Sequence, residues 1–544
     1  MEQINKMSKD FLLEALTRWS YFPTQKKENE YTPALHSKKF TPEVSLELTY
    51  IDFPKDRKQK YDQVEFSLTR HNSTTRLLSI PHPLPYSKLC NTVANSLEQI
   101  NLKMDIYNNV NSLIKPHKNE SGKLVVMDYE DPLEKSERLL DHSFGKKFRV
   151  QTDISNCFPS IYTHAIPWAL VGFEHAKEFR GNAEWYNQID EGFRNIRRGE
   201  TQGIGIGPAI SNFAAEIILT RIDESLSKKF DYTRYIDDYT CYCETHEKAL
   251  EFLNTLESQL KKFKLTINTR KTTIKELPAT IHNEWLIELQ SRSPIGYLNK
   301  HDDEILSFKH SALEAIKHIE LAVHLNSKEP DGSIIKYAVK MILGRLDNTA
   351  NEPVIHYLLN LSFIYPHLLP LLEELLEQPN VDPKKYELHL NKIAATNAKL
   401  GRSDGMCWPL YYLHKHNLTL DPNVIAAIIQ AEDCTAILLI EHFEDHHGCS
   451  AAFLSTLQPG YDQDKYWLLI YQLLHWDRLD KKFITPEYQT MMKHQVSFSY
   501  LDNKNSESED KLETEKIRKI FESVPLFVPA PALVSAPPNI IKPY

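Results

Sequence analysis

The chain has 544 residues, of which 41% are hydrophobic and 25% are charged, and its formal net charge is −9 at pH 7. This length exceeds the size of one hydrophobic core, so we expect more than one domain, in the range of two to three. The sequence has no apolar run of about eighteen residues, and its N-terminus lacks an apolar signal core. These features disfavour a membrane protein and predict a non-exported, cytoplasmic one.

The distribution of charge and the cysteines indicate the kind of partner and the cellular compartment of the protein. Residues 1–300 hold 41 Lys and Arg against 40 Asp and Glu, whereas residues 301–544 hold 23 against 33. Basic clusters in the first part, such as Lys146-Lys147 and Arg197-Arg198, are each typical of a solvated face. Their concentration there favours contact with a phosphate backbone. The seven cysteines are scattered, which predicts free thiols in a reducing compartment and disfavours a zinc site.

Residues 1–44 are predicted to form an N-terminal arm. The arm begins with an amphipathic helix from Phe11 to Trp19, and the segments Tyr21-Phe22-Pro23 and Ser37-Lys-Lys-Phe40 follow.

The next segment carries a basic residue on a predicted strand. Arg76 precedes an Ile80-Pro81 step, Lys88 follows it, and an amphipathic helix is predicted from Leu89 to about Asn109.

Two later segments each combine a strand or loop with a helix. A short strand from Arg149 ends in a lone acid, Asp153, and Phe158 follows five residues later. A glycine-rich loop from Gln202 to Ser211 then precedes the predicted helix Asn212 to Leu226. Because glycine lacks a side chain, its three glycines at alternate positions would let the backbone approach a ligand closely.

The stretch Arg234-Tyr-Ile-Asp-Asp-Tyr239 places two adjacent carboxylates at a predicted turn. Alternating residues from Tyr239 to Cys243 predict a strand, so we expect a hairpin with the acids at its tip. A buried carboxylate pair costs several kcal/mol unless a cation neutralises it. We therefore expect a cation there, and a solvated Asp-Asp turn is the alternative. Cys241 and Cys243 share one strand face, which favours core packing over metal binding.

The predicted helix Glu247 to Phe263 leads to a polar segment that contains Lys271. Lysine can act as a proton donor when desolvation lowers its pKa. The segment His282 to Trp285 is a weak candidate for a hairpin.

Residues 301–501 show helical apolar spacing with Pro and Gly breaks and no strand signal, so they predict an irregular array of helices. Residues 502–544 are predicted to form a polar linker, a helix and a tail, and the last part, 525–544, contains six prolines.

The order of a lone acid, a glycine-rich loop with a helix, and an acid pair resembles palm motifs A, B and C of reverse transcriptases. Tyr235-Ile-Asp-Asp238 is similar to their signature tetrapeptide. The N-terminal Tyr21-Phe22-Pro23 segment resembles the abortive-infection branch of bacterial defence. This resemblance implies an α+β fold, with reverse-transcriptase fingers and palm over 45–300 and an all-α, helical-repeat-like (HEAT-like) domain over 301–501.

The resemblance also implies roles for individual residues. Phosphoryl transfer by two Mg²⁺ ions needs carboxylates from separate segments, and Asp153 and Asp237 are the natural pair. Side chains of consecutive residues diverge on extended backbone, so Asp238 is expected to have a supporting role beside the metal ligands Asp153 and Asp237. The carbonyl of Ile154 is a further candidate ligand. The expected dNTP-binding residues are Arg76, Lys88, Phe158, Gln202, Gly203 and Lys271.

The implied function is an RNA-directed DNA polymerase of anti-phage defence that works without a conventional primer or with an RNA template. Its expected partners are dNTPs, the DNA product, a non-coding RNA, a second copy of the chain and a partner protein. DNA synthesis in this family sometimes starts on a tyrosine of the protein. The sequence does not identify that tyrosine, and Tyr544 is one candidate. Gly205 replaces the usual proline of retroviral and retron enzymes, which disfavours ordinary template binding. The alternatives are a retron or group II intron reverse transcriptase, or a catalytically silent nucleotide-binding scaffold.

Overall fold

Two small hairpins and one four-stranded sheet form the β structure. The computed structural model describes residues 8–23, 31–57, 60–71, 73–104, 106, 109, 112, 132–299 and 307–502. The strands in these ranges are β1 Gln63–Thr69, β2 Thr75–Pro81, β3 Phe148–Asp153, β4 Tyr232–Tyr235, β5 Asp238–Cys243, β6 Thr273–Glu276, β7 Tyr297–Asn299 and β8 Ser307–Lys309.

The four-stranded sheet has the order β4-β5-β3-β6, and all of its neighbouring strands are antiparallel. In its centre Val150 lies opposite Cys241, and both side chains are buried. The Sγ atoms of Cys241 and Cys243 are 3.7 Å apart, so the predicted packing role of these cysteines is confirmed. At one end of these two central strands Asp153 lies opposite Asp238. The register therefore brings the end of β3 to the start of β5.

Twelve α-helices lie in the first part of the described chain. The helix α11 packs against β3 and β5, and α10 packs against α11. The helices are α1 Lys9–Glu14, α2 Pro42–Thr49, α3 Pro83–Asn95, α4 Leu97–Lys103, α5 Pro132–Ser143, α6 Cys157–Ser160, α7 Ala165–Val171, α8 Phe173–Glu178, α9 Trp185–Asn195, α10 Ala209–Leu226, α11 His246–Lys262 and α12 Glu284–Ser291.

The predicted hairpin, the strand that ends at Asp153 and the helices near 212–226 and 247–263 are confirmed. The single helix predicted from Leu89 to Asn109 is wrong. The helix α3 begins earlier than predicted, at Pro83, because proline is tolerated in the first helical turn. It ends before Ser96, whose ψ of 5° is not helical. The hairpin considered at His282 to Trp285 is also wrong, since α12 begins at Glu284.

The C-terminal part is almost entirely helical, as predicted, so the α+β class with a helical C-terminal part is confirmed. One strand, β8, contradicts the expectation of no strands after residue 300. Within the described ranges, no helix combines the length and the apolar character needed to cross a membrane. The helices are α13 Ala312–Lys328, α14 Ile334–Ile342, α15 Asn351–Ile364, α16 Leu372–Leu376, α17 Glu387–Lys399, α18 Ser403–Lys415, α19 Pro422–Ala431, α20 Cys434–Ile440, α21 Ala451–Thr456, α22 Tyr461–Asp464, α23 Trp467–His475 and α24 Pro486–Lys493.

These C-terminal helices pack on the β1–β2 hairpin. The helices α18, α20 and α23 all contact β1. The buried indole of Trp467 donates to the carbonyl of Ile80 in β2 at 3.2 Å. The hairpin therefore has the C-terminal helices as part of its hydrophobic core.

The N-terminal arm completes this core. The rings of Tyr21, Phe40 and Phe498 lie within 5.0–6.0 Å of one another. Leu35 forms a β-bridge with Ser499. Residues Met1–Ser499 form one compact unit, and the boundaries expected at 44, 300 and 501 stay predictions.

Candidate active site

The turn between β4 and β5 carries the acid pair. Tyr235 lies opposite Asp238, so Ile236 and Asp237 make the turn. Ile236 has a φ of +55°, in the left-handed region that a β-branched residue rarely adopts. Its carbonyl accepts a hydrogen bond from Arg234 Nη1 at 2.8 Å. A side chain of β4 therefore holds the strained turn.

The guanidinium of Arg234 is completely buried in an ionic network. It donates to both carboxylate oxygens of Glu216 at 2.9 Å and contacts Asp223 Oδ2 at 2.8 Å. Tyr232 donates to the other oxygen of Asp223 at 2.6 Å. Burial alone would lower the pKa of Arg234, but the two carboxylates hold it well above the usual value. The base of the acidic turn is thus fixed to helix α10.

Sequence reasoning assigned no role to Arg234, Glu216 or Asp223. A signal was present, because Glu216 and Asp223 are seven residues apart in a helix rich in apolar residues. That spacing places two acids on one helix face, and acids on a buried face require a cation.

Asp153 lies beside the acid pair. Its side chain is 6% exposed, and the amide of the next residue, Ile154, donates to the carbonyl of Asp237 at 3.2 Å. Asp153 Oδ2 accepts from Lys271 Nζ at 2.6 Å. Its other oxygen, Oδ1, is buried and has no hydrogen-bond partner among the described residues. One buried carboxylate oxygen is therefore available to a further cation.

The pKa values of Asp237 and Asp238 are raised. Burial raises the pKa of Asp238 to about 6, although part of its side chain faces solvent, and the charges of Asp237 and Asp153 add to this. Burial and Asp153 likewise raise the pKa of Asp237, whereas Lys271 and Arg76 partly offset the rise. The cluster therefore holds more negative charge than its neighbours balance.

These properties fit a hard divalent cation, which prefers oxygen ligands. In the described part of the chain, no group of three His, Cys, Asp or Glu residues is already arranged to hold a metal ion. The ammonium of Lys271 instead provides the positive charge at Asp153. The orphaned Oδ1 of Asp153 and the raised pKa values of Asp237 and Asp238 show that additional positive charge would be stabilised there.

The glycine-rich loop lies against the helical turn that contains Phe158. The amide of Ile204 donates to the carbonyl of Phe158 at 3.0 Å, and that of Gly203 donates to Ile161 at 2.7 Å. Gln202 Nε2 donates to the carbonyl of Ser160 at 2.9 Å. Phe158 is half-buried. The structure thus brings Phe158, Gln202 and Gly203 together.

Two of the loop's glycines do not serve the expected approach to a ligand. A Cβ atom on Gly205 would lie 2.7 Å from the side chain of Ser79, and one on Gly207 would lie 2.7 Å from Pro23. The amide of Ser79 also donates to the carbonyl of Ile206 at 2.8 Å. The interpretation of these glycines is corrected: the loop packs against β2 and the N-terminal arm.

The predicted cations have different surroundings. Arg76 lies on β2, as predicted, and its charge acts on Asp237. Lys88 donates to the carbonyl of Thr49 at 2.7 Å and lies over the ring of Phe53, so it is bound to a different part of the structure. The hydrogen bond to Asp153 raises the pKa of Lys271. The lowered pKa that would favour proton donation by Lys271 is therefore not present in this state, and its role stays a prediction.

Ile154 and Tyr544 are the two remaining candidates. The backbone of Ile154 is held in a β-bridge with Ile267, and its carbonyl as a ligand stays a prediction. Tyr544 and the proposed linker, helix and tail from 503 onward lie outside the described residues.

The acidic cluster lies in a part of the chain that matches a known protein family. Residues 68–299 match the family model described as reverse transcriptase (RNA-dependent DNA polymerase). No curated protein matches the chain. The solved structure of apo telomerase from Candida tropicalis is similar at 10% identity with a TM-score of 0.29, over 81% of this chain and 76% of that one. That TM-score is too low to support an argument about fold or function. Residues 68–299 of this chain contain a reverse transcriptase domain.

Proposed function

We propose that this chain is an RNA-directed DNA polymerase, a nucleotidyltransferase that adds dNTPs to a DNA strand in bacterial anti-phage defence. The observation that carries the proposal is the proximity of Asp153, Asp237 and Asp238 where the central strands β3 and β5 meet the β4–β5 turn. All three lie within the residues that match the reverse transcriptase family. Carboxylates from separate segments are what metal-assisted phosphoryl transfer requires.

Reverse transcriptase domains generally use divalent metal ions. In this proposal Asp153 and Asp237 would hold two Mg²⁺ ions, with Asp238 and the carbonyl of Ile154 as supporting groups. When bound, the metal would supply charge stabilisation for the attacking and leaving oxygens.

The other residues bind and orient the nucleotide. The charge of Arg76 acts on Asp237, and in this proposal Arg76 would bind the triphosphate. The half-buried ring of Phe158 would exclude a ribose 2′-hydroxyl and so select deoxynucleotides. Gln202 and Gly203, which lie against the same turn, would contact the template and the new base pair.

Lys271 has two states in this proposal. Its ammonium now neutralises Asp153. Binding of a metal ion to Asp153 would weaken this ion pair, and the protonated lysine would then be free to donate its proton to the leaving pyrophosphate.

The defence role rests on the N-terminal segment and the altered glycine loop, which pack together. The amide of Ala209 donates to the carbonyl of Ser20 at 3.0 Å, and Pro23 lies against Gly207. This packing supports a loop specialised away from ordinary template binding, as in synthesis without a conventional primer. A non-coding RNA, a second copy of the chain and a partner protein are proposed partners, and a retron-like or group II intron-like enzyme is the alternative.

The test is incorporation of labelled dNTPs with Mg²⁺ by the purified full chain. We expect Asp237→Asn to reduce incorporation at least about 100-fold, because a metal ligand is lost. Asp231→Asn is the matched control, since Asp231 lies before β4 and its side chain is 73% exposed. Full activity of Asp237→Asn would exclude the assignment. Absence of activity in the unmodified chain, with every nucleic acid supplied, would favour the silent scaffold.

The biological role needs a separate measurement. Bacteria that express the unmodified chain should survive or limit phage infection better than those that express Asp237→Asn. Equal phage titres with both proteins would contradict the defence role while leaving the polymerase assignment intact.

A further inference from the structure

The segment between α9 and the glycine-rich loop carries an arginine that has no role in the function proposed above. Arg197 belongs to a basic pair, Arg197-Arg198, of the kind that is typical of a solvated face. Its side chain is instead half-buried, and its Nη1 donates to the carbonyl of Gln202 at 3.2 Å and to that of Gly203 at 2.5 Å. One guanidinium therefore holds two consecutive carbonyls of the loop.

The conformation of Gly203 fits this contact. Gly203 is buried and has a φ of +83°, in the region that favours glycine. A Cβ atom there would lie 2.9 Å from Nη1 of Arg197 and 2.9 Å from the carbonyl oxygen of Pro159. The amide of Gly203 donates to the carbonyl of Ile161 at 2.7 Å. The N–H and the C=O of Gly203 are thus both bonded within the protein, and the guanidinium occupies space that a side chain would need.

The main chain that carries Arg197 is itself fixed. The amide of Tyr61 donates to the carbonyl of Asn195 at 2.8 Å, and the amide of Arg198 donates to the carbonyl of Tyr61 at 2.7 Å. The amide of Arg197 donates to the carbonyl of Arg194 at 3.1 Å. Because the turn after α9 is held in this way, the two hydrogen bonds of the guanidinium constrain the loop.

Arg197 keeps its positive charge in this position. Burial lowers the pKa of its guanidinium, and the charges of Glu200, Glu65 and Asp62 partly offset the fall. The ordinary value is 12.5, and arginine stays protonated in proteins. Its bonds to the carbonyls are therefore charge-assisted and stronger than bonds between neutral groups. A neutral side chain at this position would hold the loop less firmly.

We propose that Arg197 is a positioning residue for nucleotide addition, which holds Gln202 and Gly203 where they contact the template and the new base pair. What the loop contacts rests on the proposed function, whereas how the loop is held rests on the two hydrogen bonds. Arg197 acts through the loop and does not itself contact the nucleotide. A loop held less firmly would meet the incoming dNTP in fewer productive orientations, so loss of Arg197 should weaken dNTP binding.

The test is steady-state incorporation of labelled dNTPs by the full chain with Mg²⁺, over a range of dNTP concentrations. We expect Arg197→Gln to raise the KM for dNTPs roughly tenfold and to change kcat less than about twofold. Arg197→Lys keeps the charge, so its KM should lie between those of Arg197→Gln and the unmodified chain. Arg180→Gln is the matched control, since Arg180 also donates to a main-chain carbonyl, that of Lys177 at 2.7 Å, but between α8 and α9. Its KM should equal that of the unmodified chain.

Amide hydrogen exchange tests the same contact independently of polymerase activity. The amides of Gly203 and Ile204 donate to the carbonyls of Ile161 and Phe158, so they exchange when the loop opens locally. Arg197→Gln should speed their exchange roughly tenfold, because two charge-assisted bonds no longer oppose opening. Arg180→Gln should leave the exchange rates unchanged.

Either of two results would overturn the proposal. One is an unchanged KM for dNTPs in Arg197→Gln with a lower kcat, because a smaller folded fraction lowers kcat alone. The other is unchanged exchange at Gly203 and Ile204 in a variant that thermal melting shows to be folded. If Arg197→Gln does not fold, Arg197→Lys supplies both measurements. Faster exchange in a chain that has no polymerase activity would reject the proposed function alone, since Arg197 would still hold the loop.

Discussion

The buried guanidinium of Arg234 links the acidic turn to the protein interior. It neutralises Glu216 and Asp223 of α10 and holds the carbonyl of Ile236. A buried ion network of this kind gives little net stability, but removal of one partner leaves an uncompensated charge. Arg234 therefore acts through the turn and positions the acids.

We expect Arg234→Met to reduce the free energy of unfolding by about 3–5 kcal/mol, because two carboxylates would stay buried without a cation. Denaturant unfolding measures this loss. Lys248→Gln is the control, since Lys248 forms an exposed ion pair with Glu251, and it should show no measurable change. Adding Glu216→Gln and Asp223→Asn to Arg234→Met should recover part of the stability. A further loss in that triple variant would contradict the charge argument.

At the scale of elements, the glycine-rich loop joins three parts of the chain. It lies on the turn of Phe158, pairs with β2 through Ser79 and packs against Pro23 of the arm. Gly207 has a φ of +133°, which L residues rarely adopt. The loop conformation therefore depends on the absence of side chains at these positions.

We expect Gly207→Ala to destabilise the protein by about 1–3 kcal/mol, because the new methyl group overlaps Pro23 and the backbone is strained. The incorporation rate should fall as well, since the loop supports Gln202 and Gly203. Thermal unfolding and dNTP incorporation measure the two effects. Gly181→Ala is the control, because nothing lies within 4 Å of its Cβ position. Equal behaviour of the two variants would show that the loop tolerates displacement.

At the scale of the whole molecule, the C-terminal helices and the N-terminal arm enclose the β1–β2 hairpin. Ser403 and Asp404 at the start of α18 accept hydrogen bonds from the amides of Ser67 and Thr69 in β1 at 2.8 and 3.1 Å. These bonds satisfy backbone donors at the strand edge. The indole of Trp467 covers the hydrophobic face of the hairpin at Ile80. The hairpin and the helical part should therefore fold together.

The buried carboxyl of Asp404 makes this interface sensitive to pH. Burial raises its pKa to about 6, so between the ordinary value near 3.8 and 6 the folded protein binds a proton that the unfolded chain does not. Its stabilising effect is present at low pH and is lost as the pH rises through 6. Relative to Asp404→Asn, the unmodified chain should therefore gain roughly 2–3 kcal/mol between pH 7.5 and pH 4. Thermal midpoints of both proteins across this range provide the measurement, and parallel curves would contradict the burial of this charge.

A truncation tests the dependence of the first part on the helices. Residues 1–299 alone would expose the face of the hairpin that Trp467 covers and the rings of the N-terminal arm that Phe498 contacts. We expect this fragment to aggregate or to bind a hydrophobic dye, whereas residues 1–502, which keep the whole compact unit, should stay folded. A monomeric fragment with cooperative unfolding would show instead that the first part is an independent domain.

The features that could be predicted from the sequence were those that depend on a few consecutive residues. Alternating residues placed Asp153 at a strand end, and the turn chemistry placed Asp237 in a hairpin, because strand periodicity and turns act over a few residues. The break at Ser96 and the first turn at Pro83 were missed, since apolar spacing does not define helix ends sharply.

By itself, the sequence determined the order of the acids, the strands that carry them and the helical character of the C-terminal part. Only the tertiary structure decided that Lys271 neutralises Asp153 and that Gly205 and Gly207 pack against the protein itself. The reason is physical. Local periodicity depends on residues that are neighbours in the sequence, whereas these contacts join residues that are distant along the chain. The packing of the whole molecule determines which partner each charged group contacts.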